Sequence, residues 1–210
     1  MKLQNISNSM HFQKTLKADC KVLNSSTKEP VNCKIWELDK EEDKDYFKNL
    51  EKDQNWQDAI FLKNQVEDFD KWLSETDRHY YTIEDENEKC LGYTLTENED
   101  DECKIIFLET ATSFKNDIPK ERGKRYKYIG ETLLSFVAKK TQEAGGKEIS
   151  LRSMPTAISF YEEKCGFKRK RLILEVPSLP HFEMVLDKSK FDSLINQNET
   201  HTTSKINIKC

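Results

Sequence analysis

Residues 129–153 read IGETLLSFVAKKTQEAGGKEISLRS. Ile129, Leu133, Val137 and Thr141 recur at helical spacing. Gly145-Gly146 predicts the end of that helix, because glycine accepts the left-handed backbone that closes one. From Lys147 to Ser153 the pattern becomes that of a strand. Upstream, Cys103–Thr112 (CKIIFLETAT) is rich in β-branched and aromatic residues and reads as another strand. A strand, a helix of about 15 residues and a second strand form a crossover unit, which predicts that the Cys103 and Lys147 strands are parallel neighbours.

Outward from this unit the signals are antiparallel. Tyr80–Glu84 and Cys90–Thr96 flank the polar turn Asp85-Glu86-Asn87-Glu88, a hairpin pattern, and Val31–Leu38 reads as a further strand. Asp39 is a fitting N-cap for an acidic first turn leading to Tyr46, Phe47 and Leu50. Leu62, Val66, Phe69 and Leu73 fall on one face of a second helix. Pro155 opens a short helix ending at Gly166, and Lys170–Val176 and Phe182–Leu186 close the sheet. The expected fold class is α+β: a mixed, mainly antiparallel sheet of about six or seven strands, flanked by about four helices and splayed at one parallel strand pair.

Residues 1–30 are polar and lack a sustained period, which predicts a loosely ordered N-terminal arm. Residues 31–188 are the expected domain. Asn196–Lys205 carries no apolar side chain, so 189–210 is expected to be a polar, disordered tail.

The 210 residues carry 34 basic and 38 acidic side chains, a formal net charge of -4, which provides no global field for nucleic acid. No apolar run approaches the roughly 18 residues of a membrane-spanning helix, and the first residues do not form a secretory signal. Six scattered cysteines, in a chain long enough to fold without staples, read as reduced thiols and point to a cytoplasmic location. No phosphate loop, HExxH, CxxC or GxSxG is present and the four histidines are far apart, so no metal site is expected. A homo-oligomer is left open.

The stretch Lys120-Glu121-Arg122-Gly123-Lys124-Arg125-Tyr126-Lys127-Tyr128-Ile129-Gly130 concentrates positive charge just before a helix start. Free amides and the positive end of the helix dipole make such a start an anion site, and Gly130 would let a phosphate come close; a pyrophosphate is the natural ligand. The competing reading is a solvated basic loop. Glu84–Glu102, with nine acids and one lysine, reads as a solvated sheet edge or as the rim of a cleft for cationic amines.

Ala157–Phe167 (AISFYEEKCGF) resembles the FYxxxGF closing helix of the GNAT N-acetyltransferase superfamily. Arg125-x-x-Tyr128-x-Gly130 is similar to that superfamily's acyl-CoA signature, [Q/R]-x-x-G-x-[G/A]. The resemblance covers Val31 to about Lys188 and implies a GNAT-like acyl-CoA N-acyltransferase fold. It implies a transferase that passes an acetyl group from acetyl-CoA, its co-substrate, to a primary amine by direct attack in a ternary complex. It places the backbone of Tyr126, Lys127, Tyr128, Ile129 and Gly130 and the hydroxyl of Thr132 at the pyrophosphate, with Arg125 or Lys127 neutralising charge. The pantetheine arm would lie along Leu108, Glu109, Thr110 and Ala111. Tyr161 matches the tyrosine that protonates the departing thiolate, and Glu109, the only acid in Ile105–Ala111, is the best-placed base. Tyr128 stands where the signature has its first glycine, Met154 where relatives place an asparagine, and the Ser113–Lys124 loop is longer than usual. These departures keep two alternatives in view: a non-catalytic acyl-CoA-binding or interaction domain, and a toxin-type acetyltransferase acting on aminoacyl-tRNA, which the basic stretches Lys120–Lys127 and Lys168–Arg171 permit.

Overall fold

The computed structural model describes residues 14–38, 45–53, 56, 77–111, 126–174 and 180–209. The strands are β1 (Thr15–Asn24), β2 (Pro30–Glu37), β3 (Arg78–Asp85), β4 (Cys90–Glu99), β5 (Glu102–Thr110), β6 (Tyr126–Lys127), β7 (Glu148–Ser153), β8 (Lys168–Ile173), β9 (His181–Asp187) and β10 (Asn207–Ile208). The α-helices among the described residues are α1 (Asp45–Glu51), α2 (Ile129–Glu143) and α3 (Phe191–Thr202). One sheet contains all the strands in the order β10-β1-β2-β3-β4-β5-β7-β9-β8, with β6 also on β1. β5 and β7 run parallel, as the crossover unit requires, and the other pairs are antiparallel. The predicted 85–88 turn forms: Asp85 Oδ1 accepts from the Asn87 and Lys89 amides at 3.0 and 3.1 Å.

The ten strands among the described residues exceed the expected six or seven, because both ends of the chain and the short internal β6 join the sheet. The arm expected to be loose contributes β1, which pairs with β2 along nearly its whole length. Its burial alternates, with Ala18, Cys20 and Val22 in the core, but the apolar side chains are small and separated by Lys and Asp. Beyond the expected boundary at 188, α3 buries Phe191, Leu194 and Ile195, and Ile206 is 1% exposed. Asn198 and Thr202 continue its buried stripe as polar residues, so a search for apolar spacing ends at Ile195. The expected Leu62–Leu73 helix, the Asp39 cap and the Ser113–Lys124 loop lie outside the described residues.

The sheet has a core on each face. On one, α2 and α3 cover a cluster in which Tyr81 meets Phe136 edge-on at 5.0 Å. On the other, Tyr80, Tyr93 and Leu95 pack with Trp56, Tyr46 and Leu50. Neighbouring Tyr80 and Tyr81 serve opposite cores because side chains alternate along a strand. α2 presses tightly on the sheet at Gly92, where a Cβ would sit 2.9 Å from Ile129 Cγ2 and 3.1 Å from the Glu109 carbonyl oxygen. Gly92→Ala is therefore expected to destabilise the fold by about 1–3 kcal/mol, as overpacking does. A lower urea midpoint at unchanged m-value would register it; an unchanged midpoint would show that the contact yields freely.

Candidate active site

β5 and β7 pair from Glu102↔Glu148 to Ile105↔Leu151, and no pairing between them extends further among the described residues. β5 nevertheless continues against β4 to Gly92↔Thr110, and β7 against β9 to Ser153↔Phe182. Each strand keeps its outer neighbour while the inner edges separate, which opens a V toward their C-terminal ends. The Ala111 amide donates to the Leu91 carbonyl at 2.8 Å. Ala111, and two residues back Glu109, therefore turn their backbone groups to β4, while those of Leu108 and Thr110 face the gap. Of the four residues expected to line a pantetheine arm, Leu108 and Thr110 turn backbone groups into the gap, and the Ala111 amide is already used.

α2 begins beside this opening. Its N-cap, Tyr128, has φ 68 and ψ 15, and no side chain caps the end. Tyr128 thus holds the left-handed backbone that favours glycine, the residue the signature carries there, at a cost of roughly 1–2 kcal/mol. Its carbonyl accepts from the Thr132 amide at 2.8 Å. The amides of Ile129, Gly130 and Glu131 are the first-turn donors for which a helix supplies no acceptor.

Several residues expected around an anion there are engaged elsewhere. Tyr126 pairs with Asn24 and Lys127 with Leu23 in the β6–β1 ladder. The Tyr126 ring is buried and its hydroxyl donates to Asp85 Oδ2 at 3.1 Å, so Tyr126 ties α2's approach to the β3–β4 turn instead of facing a ligand. Thr132 is fully buried and donates to Asn198 Oδ1 at 3.1 Å, because α3 occupies the side of α2 that was expected to be open. A Cβ on Gly130 would lie 3.1 Å from Phe160 Cζ, so the missing side chain makes room for the Phe160 ring. The Lys127 side chain is exposed, and Arg125 lies outside the described residues. The tail supplies a neighbour the sequence reading missed: the His201 ring stacks on Tyr128, with centroids 4.7 Å apart.

Tyr161 lies beyond β7 in a π-helical turn, Phe160–Lys164. Four residues, Glu162 to Cys165, separate it from Gly166, one more than in the pattern FYxxxGF. A π turn closes one residue wider than an α turn and takes up the excess. The Tyr161 carbonyl accepts from the Phe167 amide at 3.0 Å across Gly166, whose φ is 78. The phenol ring meets Phe160 and Phe167 edge-on at 5.0 and 5.6 Å. Burial, reinforced by Cys165, pushes the phenol's pKa well above its ordinary value, so it stays protonated at neutral pH.

Glu109 is held on the opposite face, where its Oε2 accepts from the Tyr93 hydroxyl at 2.6 Å. Tyr93 is fully buried, and burial followed by the Glu109 charge drives its pKa up, so it acts only as a donor that orients the carboxylate. Tyr161 belongs to the α2-side core and Glu109 to the face of Tyr93 and Trp56. The two groups therefore lie on opposite faces of the sheet. Among the described residues no group of three or more His, Cys, Asp or Glu side chains could hold a metal ion, and no helix is long and apolar enough to cross a membrane.

No family model matches the sequence, and no curated protein does. Solved structures do. A variant of spermidine N-acetyltransferase SpeG from Vibrio cholerae is 17% identical with a TM-score of 0.52, over 76% of this chain and 95% of that one. A protein from Desulfovibrio desulfuricans assigned to the GNAT family is 12% identical with a TM-score of 0.55, over 74% and 99%. An uncharacterized protein from Bacillus halodurans is 14% identical with a TM-score of 0.57, over 90% and 98%. With its V-shaped parting of a parallel pair and these neighbours, the chain has the fold of the GNAT acetyltransferases.

Proposed function

We propose that this protein is an N-acetyltransferase that moves an acetyl group from acetyl-CoA to a primary amine by direct attack in a ternary complex. The parting of β5 and β7 after Ile105 and Leu151, beside the uncapped start of α2, carries this reading. A thioester arm fits between strands whose inner edge offers the backbone of Leu108 and Thr110. An amide on that edge polarises the thioester carbonyl, a contribution of about 3 kcal/mol in comparable oxyanion sites. The diphosphate end docks on the amides of Ile129, Gly130 and Glu131.

Tyr161 donates to the sulfur as the carbon–sulfur bond breaks. An amine of pKa about 10.4 must lose a proton before attack, at a cost of about 4.6 kcal/mol at pH 7. Glu109, oriented by Tyr93, accepts it directly or through water. Glu109→Gln should abolish the acidic limb of the kcat/KM profile, and profiles superimposable on wild type would remove Glu109 from the mechanism. An acyl-cysteine route is disfavoured, since burial pushes the Cys103 thiol up to about 11 and raises that of Cys165 as well. The acidic run divides: Glu84, Asp85 and Glu86 lie near the open end of the V, while Glu97–Glu102 lie at its paired end. Glu84 is 2% exposed and held by Lys14 and Tyr46, and Asp85 is buried against Tyr126, so at the open end it is Glu86 and Glu88, both exposed, that are placed to attract a cationic acceptor.

Acetyl-CoA at about 100 Kd should add about 2.7 kcal/mol of stability, read as a thermal shift. Free thiol should then appear when an amine is supplied, and spermidine, the substrate in a neighbour's name, is the first to assay. No shift overturns the proposal. A shift without thiol release from any amine leaves an acyl-CoA-binding domain instead.

A further inference from the structure

The face of α3 that meets the start of α2 carries two polar atoms without partners. The two helices run antiparallel, since Gln142 donates to Asp192, Ser135 to the Leu194 carbonyl and Thr132 to Asn198. The last turn of α3 therefore lies against the first turn of α2. Asn198 is 1% exposed, its Oδ1 accepts from Thr132, and its Nδ2 has no hydrogen-bond partner. His201, three residues on and so on the same face, stacks on the N-cap residue Tyr128, and its Nδ1 is likewise buried without a partner. A buried amide hydrogen left unpaired is destabilising until an acceptor reaches it. These two atoms lie one turn apart on the face of α3 that meets the first turn of α2, where the amides of Ile129, Gly130 and Glu131 have no acceptor within the helix.

We propose that α3 completes the anion site at the start of α2, with Asn198 Nδ2 and His201 Nδ1 donating to the phosphates of a diphosphate-bearing ligand beside the amides of Ile129, Gly130 and Glu131. This deepens the acetyl-CoA reading and rests on it, but the residues involved come from a C-terminal helix that the acyl-transfer chemistry does not require. The Tyr128 ring, now stacked on His201, moves aside as the anion binds. The donors then acquire the acceptors they lack, and the anion is gripped from two helices instead of one.

The test compares the full chain with His201→Ala and Asn198→Asp. The aspartate keeps an acceptor for Thr132 and replaces the amide donor with an anionic oxygen. Calorimetry with CoA and with inorganic pyrophosphate should show each variant weakened about tenfold or more, the effect of losing one hydrogen bond to a charged group. Binding of S-acetylpantetheine, which has no phosphate, should be unchanged. In wild type, NMR titration with pyrophosphate should shift the Asn198 side-chain and His201 ring signals together with the Gly130 amide. Should Asn198→Asp fail to fold, His201→Ala and the wild-type titration still decide. Unchanged affinity in His201→Ala, with only backbone amides shifting, overturns the role of α3 and leaves the acetyltransferase reading standing. Wild type that binds neither CoA nor pyrophosphate overturns both.

Discussion

Phe191→Ala is expected to lower the unfolding free energy by about 3–5 kcal/mol, the usual effect of emptying a fully buried phenylalanine site. At roughly 2–4 °C per kcal/mol for a chain of this size, the thermal midpoint should fall by about 6–20 °C. Phe191 opens α3 and is entirely inaccessible to solvent. Leu194 and Ile195 share its face, and the core they enter is the one that holds α2 against the sheet. Loss of the ring removes transfer energy and leaves a cavity that a helix pinned at both ends cannot collapse. The exposed neighbour Ser193 serves as control, because Ser193→Ala should shift stability by no more than about 0.5 kcal/mol. Equal midpoints for the two variants would mean that the C-terminal helix is not part of the cooperative unit.

Tyr161→Phe should reduce turnover at least tenfold while leaving acetyl-CoA affinity nearly unchanged. The substitution keeps the ring and its edge-on contacts with Phe160 and Phe167 and deletes only the hydroxyl. A phenol whose pKa is raised by burial is a poor full proton donor to a thiolate of pKa about 8.5. Its contribution is a hydrogen bond that strengthens as negative charge develops on sulfur, an interaction made mainly in the transition state. Such an interaction appears in kcat and not in substrate binding. Equal turnover of the two proteins would assign Tyr161 to packing alone.

The central fold was legible because its signals are strong and local. Ile129, Leu133 and Val137 set the helical period, Gly145 ends it with φ 83, and Asp85 closes the hairpin where the polar turn stands. The chain ends were misread for two different physical reasons. In β1 the inward positions are Ala18, Cys20 and Val22, which bury little area each, so the period of two is weak in hydrophobicity although it is complete in burial. In α3 the inward stripe passes from Phe191 and Leu194 to Asn198 and Thr202, which are buried through hydrogen bonds that no apolar pattern records. The same omission affected the site. The resemblance places the Thr132 hydroxyl at the pyrophosphate, and Asn198, from a helix the sequence does not announce, occupies that space. The sequence identified the parallel pair that parts, but which backbone groups line the gap depends on register: Leu108 and Thr110 face inward, and Ala111 does not.

The five-residue turn around Tyr161 also makes this part of the chain tolerant of length. Its added residue is taken up within the turn: β7 before it pairs with β9 in unbroken register, and β8 after it pairs with the same strand with one bulge between Arg169 and Arg171. Deleting one residue from Glu162–Lys164 would restore an ordinary helical turn and leave both flanks in place. The same deletion inside β7 would turn every later side chain of that strand to the wrong side. An insertion or deletion in the turn that carries Tyr161 is thus easier to accommodate than one in the strands that frame it.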